Sequence, residues 1–206
     1  MSALPPKFEG DLAHLPTHGF GPKSLTFWGV LAFFLIEGTG FALAIGAYFF
    51  LEGLETNWPP DPWLPPNLIA GTLFTILILL SEIPNTMVKR AAERHDLATV
   101  KRCMLIMLPV FAGLAILRGF EFASLNVWWT DNAYGSILWA LLVLHTTHIG
   151  TDIVDTLVLT GLMFTRHSAD DRRLVDVSEN ALYWRFVWLC WLPIYALIYW
   201  VPRWVA

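Results

Sequence analysis

The stretch LHTTHIGTDIVD, residues 144–155, lies inside an apolar run from residue 136 to residue 164 that is long enough to cross a bilayer. Its ionisable side chains are spaced by three, four and three residues: His145, His148, Asp152 and Asp155. In a helix of about 3.6 residues per turn, this spacing places all four on one stripe. Because ionisable groups are costly in hydrocarbon, we expect the stripe to face protein, a lipid headgroup or water. The rest of the chain should therefore supply the helices that surround it.

The composition indicates that the whole chain belongs to a membrane. Of its 206 residues, 56% are hydrophobic and 15% are charged, and the net charge of -4 gives no indication of nucleic-acid binding. Backbone groups must be paired in lipid, and no alternating pattern suggests a barrel. We predict an all-α, polytopic membrane protein, a bundle of five transmembrane helices with spans at residues 25–51, 67–88, 103–125, 136–164 and 182–201. Residues 1–24 are predicted to be an irregular cytoplasmic tail, and residues 25–206 one transmembrane domain.

The basic residues predict the orientation of the chain. The tail, the loop between the second and third spans, and the loop between the fourth and fifth spans all carry Lys or Arg. On the other side, residues 52–66 and 126–135 contain neither, and Arg203 is the only basic residue. The positive-inside rule therefore predicts a cytoplasmic N-terminus and an outer C-terminus. A belt of tryptophans is expected at the outer face: Trp58, Trp63, Trp128, Trp129, Trp200 and Trp204.

Few other ionisable residues lie at membrane depth. Glu82 is on the second span, and Arg118 and Glu121 lie three residues apart on the third. Because the third and fourth spans are antiparallel, Arg118 and Glu121 should approach the level of His145. The expected interhelical cluster contains Glu121, Arg118, His145 and His148. Two interpretations stay open: a structural pairing that fixes helix register, or a functional role.

Glu37 lies near the middle of the first span, among Phe, Leu, Ile and Gly residues. A carboxyl group in such surroundings requires either a proton or a close hydrogen-bond donor. One interpretation is proton handling, and the other is a neutral carboxyl group hydrogen-bonded to a neighbouring helix.

The histidines argue against a metal site. A membrane b-type haem needs axial His residues from different helices, and a di-iron site needs Glu-x-x-His repeats on several helices. Within the predicted spans only His145 and His148 are available, and both are on the fourth. We predict no haem, metal or catalytic residue in this chain.

Four motifs, taken in order, resemble subunit III of the haem–copper oxidases in its five-helix bacterial form. They are FFLIEGTGFA at residues 33–42, RGFEF at 118–122, the segment from YGS at 134–136 through HTTHIG at 145–150, and YWRFVW at 183–188. The family helices that they resemble carry a mid-membrane carboxylate, an acidic residue before an aromatic one, the pattern Gly-x-His-x-x-His-Val-x-x-Gly, and the signature Tyr-Trp-His-Phe-Val-Asp. The chain departs from these patterns at Leu144, Arg185 and Trp188 and by adding Asp152 and Asp155.

The resemblance implies an accessory, non-catalytic subunit of a respiratory oxidase that couples oxygen reduction to proton pumping. Haem and copper would lie in the partner catalytic subunit, and this chain would hold none. It would pack against that subunit and other oxidase subunits in a bacterial inner membrane, bind phospholipid and support proton uptake. The charge and position of several residues make them candidate lipid-headgroup contacts: Arg166, Arg173, Trp184 and Arg185.

Two alternative functions stay open. The departures at Arg185 and Trp188 allow an accessory subunit of a nitric oxide reductase, which uses a related catalytic subunit. A stand-alone proton-coupled transporter would use Glu37, Glu121 and the stripe on the fourth span. The lack of a visible inverted repeat and of paired interrupted helices speaks against a transporter.

Overall fold

The computed structural model describes residues 16–205, apart from the side chains of residues 167 and 169. Five helices in it are long and apolar enough to cross a membrane, and no strand occurs within the described residues. This confirms the predicted all-α, five-helix architecture. The helices are α1 (Leu25–Glu52), α2 (Leu68–Glu93), α3 (Leu97–Ala123), α4 (Ala133–Met163) and α5 (Asp171–Tyr195). A π-helical turn, Ala196–Trp200, and the short α6, Val201–Trp204, extend α5.

Capping side chains explain why two helices begin earlier than the predicted spans. The helix α3 begins at Leu97 because Asp96 accepts hydrogen bonds from the Thr99 amide, at 3.1 Å, and from its hydroxyl, at 2.6 Å. These bonds lower the pKa of Asp96. The helix α5 begins at Asp171, where the Asp170 side chain accepts from the amide of Arg172 at 3.0 Å. The polar segment that opens α5 is thus helical, although its composition does not resemble a membrane span.

The helix α5 lies at the centre of the arrangement. It packs against α1, α2 and α4, while α3 packs against α2 and α4. The helix α1 is peripheral, and Phe41 and Tyr48 are its only buried residues. Consequently most of the surface of α1 is free to meet lipid or another subunit.

The proline-rich connection between α1 and α2 folds back over the bundle. Its Trp58 is 2% exposed and donates its indole N–H to the Tyr48 hydroxyl at 2.8 Å. Tyr48 in turn donates to the Leu197 carbonyl at 2.8 Å. Trp58 therefore belongs to the core and not to a tryptophan belt, whereas Trp128 and Trp204 are 63% and 72% exposed.

The predicted N-terminal tail lies largely outside the described residues. Its described part includes the 3-10 helix Gly21–Lys23, followed by Ser24, whose side chain accepts from the Phe27 amide and caps α1. The assignment of residues 1–24 to an irregular cytoplasmic segment stays a prediction.

Candidate functional site

A fully buried ionic cluster joins α3, α4 and the turn after α5. Arg118 Nη1 lies 2.8 Å from Glu121 Oε2, and Arg118 Nη2 donates to His145 Nδ1 at 2.9 Å. Because Nδ1 accepts, Nε2 carries the hydrogen and donates to the Val187 carbonyl at 3.1 Å. Tyr199 donates its hydroxyl to Glu121 Oε1 at 2.9 Å. We call Arg118, Glu121, His145 and Tyr199 the buried ionic cluster.

Aromatic rings enclose this cluster. The Arg118 guanidinium carbon lies 3.9 Å from the centroid of Phe74 and 4.4 Å from that of Trp191. Trp191 also stacks on His145, with ring centroids 4.9 Å apart. These contacts add cation–π attraction to the ion pair and bring α2 into the same assembly. The side chains of the cluster come from α3, α4 and the turn after α5, so their contacts join these three elements.

The structure separates His148 from this cluster, which corrects the predicted four-residue grouping. His148 faces α1, where its Nε2 lies 3.5 Å from Glu37 Oε1. Its Nδ1 donates to the Leu144 carbonyl of its own helix at 2.7 Å. Glu37 Oε1 also receives the Tyr183 hydroxyl at 3.3 Å.

The Glu37–His148 contact joins α1 to α4. Since His148 Nδ1 must carry a hydrogen to bond to a carbonyl, the second ring nitrogen is left to face the carboxyl group. The side chains of Glu37 and His148 are only 16% and 12% exposed.

The two aspartates of the stripe meet a third environment. Asn180 on α5 donates one amide hydrogen to Asp152 Oδ1 and the other to Asp155 Oδ2, both at 3.1 Å. Thr156 donates to Asn180 Oδ1 at 3.0 Å and fixes the orientation of the amide. Sequence analysis missed Asn180, because nothing in the polar start of α5 singles it out.

The stripe on α4 thus has three different sets of neighbours. Ten residues separate His145 from Asp155, which corresponds to about 15 Å along a helix. Over that length one helical face meets the buried ionic cluster, then α1, then the start of α5. A shared face does not imply a shared site.

Glu82 is the centre of a further polar group that joins α2 to α5. Arg185 donates from Nε to Glu82 Oε1 at 2.9 Å, and its Nη2 contacts the same oxygen. Trp188 donates to Glu82 Oε2 at 3.0 Å, and Asn85 and Thr86 of α2 complete the set. Arg185 and Trp188 are two of the positions at which the chain departs from the resembled motif, and both contact Glu82.

A double-mutant cycle on this pair tests the link between α2 and α5. We expect Arg185→Ala and Glu82→Ala to be non-additive by about 1 kcal/mol in the free energy of unfolding, since the side chains are partly exposed. The measurement is reversible unfolding in mixed micelles. The matched control is Lys89 with Glu93, an ion pair within one helix, for which about 0.3–0.5 kcal/mol is expected. Additive changes at Arg185 and Glu82 would contradict the assigned contact.

The four candidate lipid contacts lie in different environments. Arg166 is exposed in the 3-10 helix Arg166–Ala169, and Arg173 pairs with Asp176 at 2.8 Å beside a cavity. Arg185 binds Glu82. Trp184 is 1% exposed and donates its indole N–H to the Ser81 hydroxyl at 2.8 Å. The expectation for Trp184 was wrong, because its face of α5 points into the bundle.

The described part of the chain contains no group of three or more His, Cys, Asp or Glu side chains arranged to hold a metal ion. The four sites above consist of hydrogen bonds and ion pairs between side chains of this chain.

Comparison with known proteins decides the family. A family model described as cytochrome c oxidase subunit III matches residues 18–204, nearly all of the chain. The chain belongs to the cytochrome c oxidase subunit III family. Curated relatives agree. Cytochrome c oxidase subunit 3 of Thermostichus vulcanus is 22% identical over 181 residues, which cover 85% of this chain and 87% of the relative. The probable cytochrome c oxidase subunit 3 of Nocardia farcinica is 26% identical over 189 residues, which cover 89% and 92%.

As a subunit III, the chain is an accessory subunit of a haem–copper oxidase and a membrane protein that assembles with other oxidase subunits. This confirms the resemblance drawn from the four motifs. Neither the nitric oxide reductase alternative nor the stand-alone transporter is supported.

Proposed function

We propose that this chain is a cofactor-free subunit III that packs against the haem- and copper-bearing subunit in a bacterial plasma membrane. Its N-terminus is on the cytoplasmic side, as the basic residues around the α2–α3 and α4–α5 connections favour. Phospholipid headgroups contact the same end, where Arg166 is exposed.

The proton-handling part of this proposal is carried by one observation, the Glu37–His148 contact. The two side chains face each other in a weakly exposed setting, and Glu37 Oε2 has no hydrogen-bond partner among the described residues. Glu37 also lines a large cavity together with Asp152 and Asp155. We infer that a proton taken up at the cavity is transferred along these carboxyl groups within the same subunit.

The substitution Glu37→Gln tests this role. We expect the purified oxidase to keep its subunits but to turn over more slowly at high pH, where protons are scarce and supply limits the rate. The measurement is oxygen consumption across a pH series. Glu55→Gln, at an exposed position of the α1–α2 connection, is the matched control. A pH profile for Glu37→Gln that coincides with the control would contradict the proposal.

Assembly is tested separately by purifying the complex through this chain in mild detergent. We expect haem absorption bands and a large multi-span subunit to accompany it. A colourless chain that purifies alone from native membranes would contradict the proposed partnership.

A further inference from the structure

The turn between α2 and α3 holds its middle residue in a backbone conformation that favours glycine. His95 has a φ of 58°, in the left-handed region. Its amide donates to the Ala92 carbonyl at 3.0 Å, and the amide of Asp96 donates to the Ala91 carbonyl at 2.9 Å. These two bonds form the Schellman motif that ends many helices, in which the left-handed residue is usually glycine. A side chain strains the backbone there, so we looked for what the imidazole ring contacts.

The imidazole ring of His95 connects two other parts of the chain. Its Nε2 atom lies 3.3 Å from Oδ1 of Asp171, in the first turn of α5. The ring also meets that of Phe20 edge to face, with centroids 5.7 Å apart. Phe20 precedes α1, and it packs against the buried apolar residues that α2, α3, α4 and α5 bring together at this end of the bundle. His95 is therefore a junction between the α2–α3 turn, the segment before α1 and the start of α5.

A second histidine brings the segment before α1 close to α5. His18 Nε2 lies 3.9 Å from Asp176 Oδ1, and Arg173 faces the same carboxyl group, with Nη1 at 2.8 Å from Oδ2. Because Arg173 already balances the charge of Asp176, this contact contributes less than the one made by His95. We call residues 16–24 the N-terminal strap, since they contact both the α2–α3 turn and α5.

The contact between His95 and Asp171 depends on pH. Histidine ordinarily changes its charge between pH 5 and pH 8, and an aspartate carboxyl group is ordinarily ionised above about pH 4. A charged imidazolium therefore makes a charge-assisted hydrogen bond to the carboxylate, whereas a neutral ring makes a weaker one. The contact with the Phe20 ring does not require the charge. Arg172, the next residue of α5, is exposed.

The other elements around His95 do not supply a competing carboxylate. Three charged residues are its neighbours in the chain: Glu93, Arg94 and Asp96. Glu93 pairs with Lys89 of its own helix, and the Asp96 carboxyl group accepts from the amide and hydroxyl of Thr99. The first turn of α3 has no acidic side chain, and the N-terminal strap contributes an uncharged phenyl ring. The carboxyl group supplied by α5 is thus the partner whose attraction changes when the ring is protonated.

We propose that His95 and Asp171 form a pH-sensitive clasp that holds the N-terminal strap against the α2–α3 turn and the start of α5. The clasp is strongest between about pH 4 and pH 6 and loosens as the pH rises and the ring loses its charge. Because the two side chains are 52% and 81% exposed, the charge changes the ratio of held to released strap by only about 2- to 5-fold. All of these contacts lie within this chain, so the clasp does not depend on the proposed role of Glu37.

Hydrogen exchange followed by mass spectrometry measures release of the strap in the purified oxidase. The readout is the peptide of residues 16–25, in which the Leu25 amide donates to the Pro16 carbonyl at 3.3 Å. Asp171→Asn keeps the His95 ring but removes the carboxylate. We expect this peptide to exchange about 2- to 5-fold faster than in the parent at pH 5.5, and at the parent rate at pH 8.5. Since the substitution lies outside the peptide, the intrinsic exchange rates cancel at each pH.

Two further variants complete this test. His95→Asn keeps a residue type that tolerates the left-handed conformation but removes the ring, so the strap should exchange faster than in the parent at both pH values. Glu55→Gln, which removes an exposed carboxylate outside the clasp, is the matched control and should exchange as the parent does. A ratio of Asp171→Asn to parent that is the same at pH 5.5 and pH 8.5 would overturn the proposal, as would parent-like exchange in His95→Asn.

Discussion

Replacing Arg118 by Met is expected to lower the free energy of unfolding of this chain by about 3–5 kcal/mol. Arg118 is 4% exposed, and its removal leaves the Glu121 carboxyl group buried at 0% exposure without its cation. His145 Nδ1 loses its donor at the same time. The measurement is thermal or denaturant unfolding in mixed micelles, followed by the fraction of chain that assembles with the oxidase.

Two further variants make the result for Arg118 interpretable. Arg90→Met removes an exposed arginine near the end of α2 and should change stability by less than about 0.5 kcal/mol. The double variant Arg118→Met with Glu121→Gln should recover part of the loss, because no orphaned charge remains. If Arg118→Met were as stable as Arg90→Met, the buried ionic cluster would not stabilise the packing of the helices as its contacts indicate.

Replacing Trp184 by Ala is expected to cost about 3–5 kcal/mol of stability. The side chain is 1% exposed, packs edge-on against Phe111 at 4.9 Å between ring centroids, and donates to the Ser81 hydroxyl. Its loss leaves a cavity between α2, α3 and α5 and removes the donor to the Ser81 hydroxyl, which still donates to the Ile78 carbonyl. The same unfolding assay measures the effect.

The matched control for Trp184 is Trp204→Ala. Trp204 is 72% exposed at the end of α6, so its loss should change the stability of the isolated chain by less than about 0.5 kcal/mol. Delipidation should destabilise both variants and the parent chain equally. A Trp184→Ala variant that was stable but lost bound lipid would instead restore Trp184 as a headgroup contact.

The polar interior has two parts with different surroundings. The buried ionic cluster is enclosed by Phe74 and Trp191, and its side chains contact one another. Several carboxyl groups near the α4–α5 connection instead line a cavity between α1, α4 and α5.

Hydrophobicity and charge by themselves determined the number of helices, because crossing a bilayer requires about 20 apolar residues whatever the neighbours are. Motif order determined the family. The same approach missed the early starts of α3 and α5, since the side-chain caps Asp96 and Asp170 act beyond the apolar segments. The proximity of Arg118, Glu121 and His145 followed from two antiparallel spans and needed only their approximate depth.

Tertiary structure alone decided which polar groups meet. The periodicity of α4 places four ionisable side chains on one face: His145, His148, Asp152 and Asp155. Because of how the other helices pack against α4, these side chains contact three different sets of partners. Trp184 and Trp58 likewise lie inside the bundle, although a tryptophan side chain suits the membrane–water interface equally well. Helical periodicity fixes where a side chain leaves its own helix, whereas its partners depend on how neighbouring helices cross, and that depends on packing across the whole bundle.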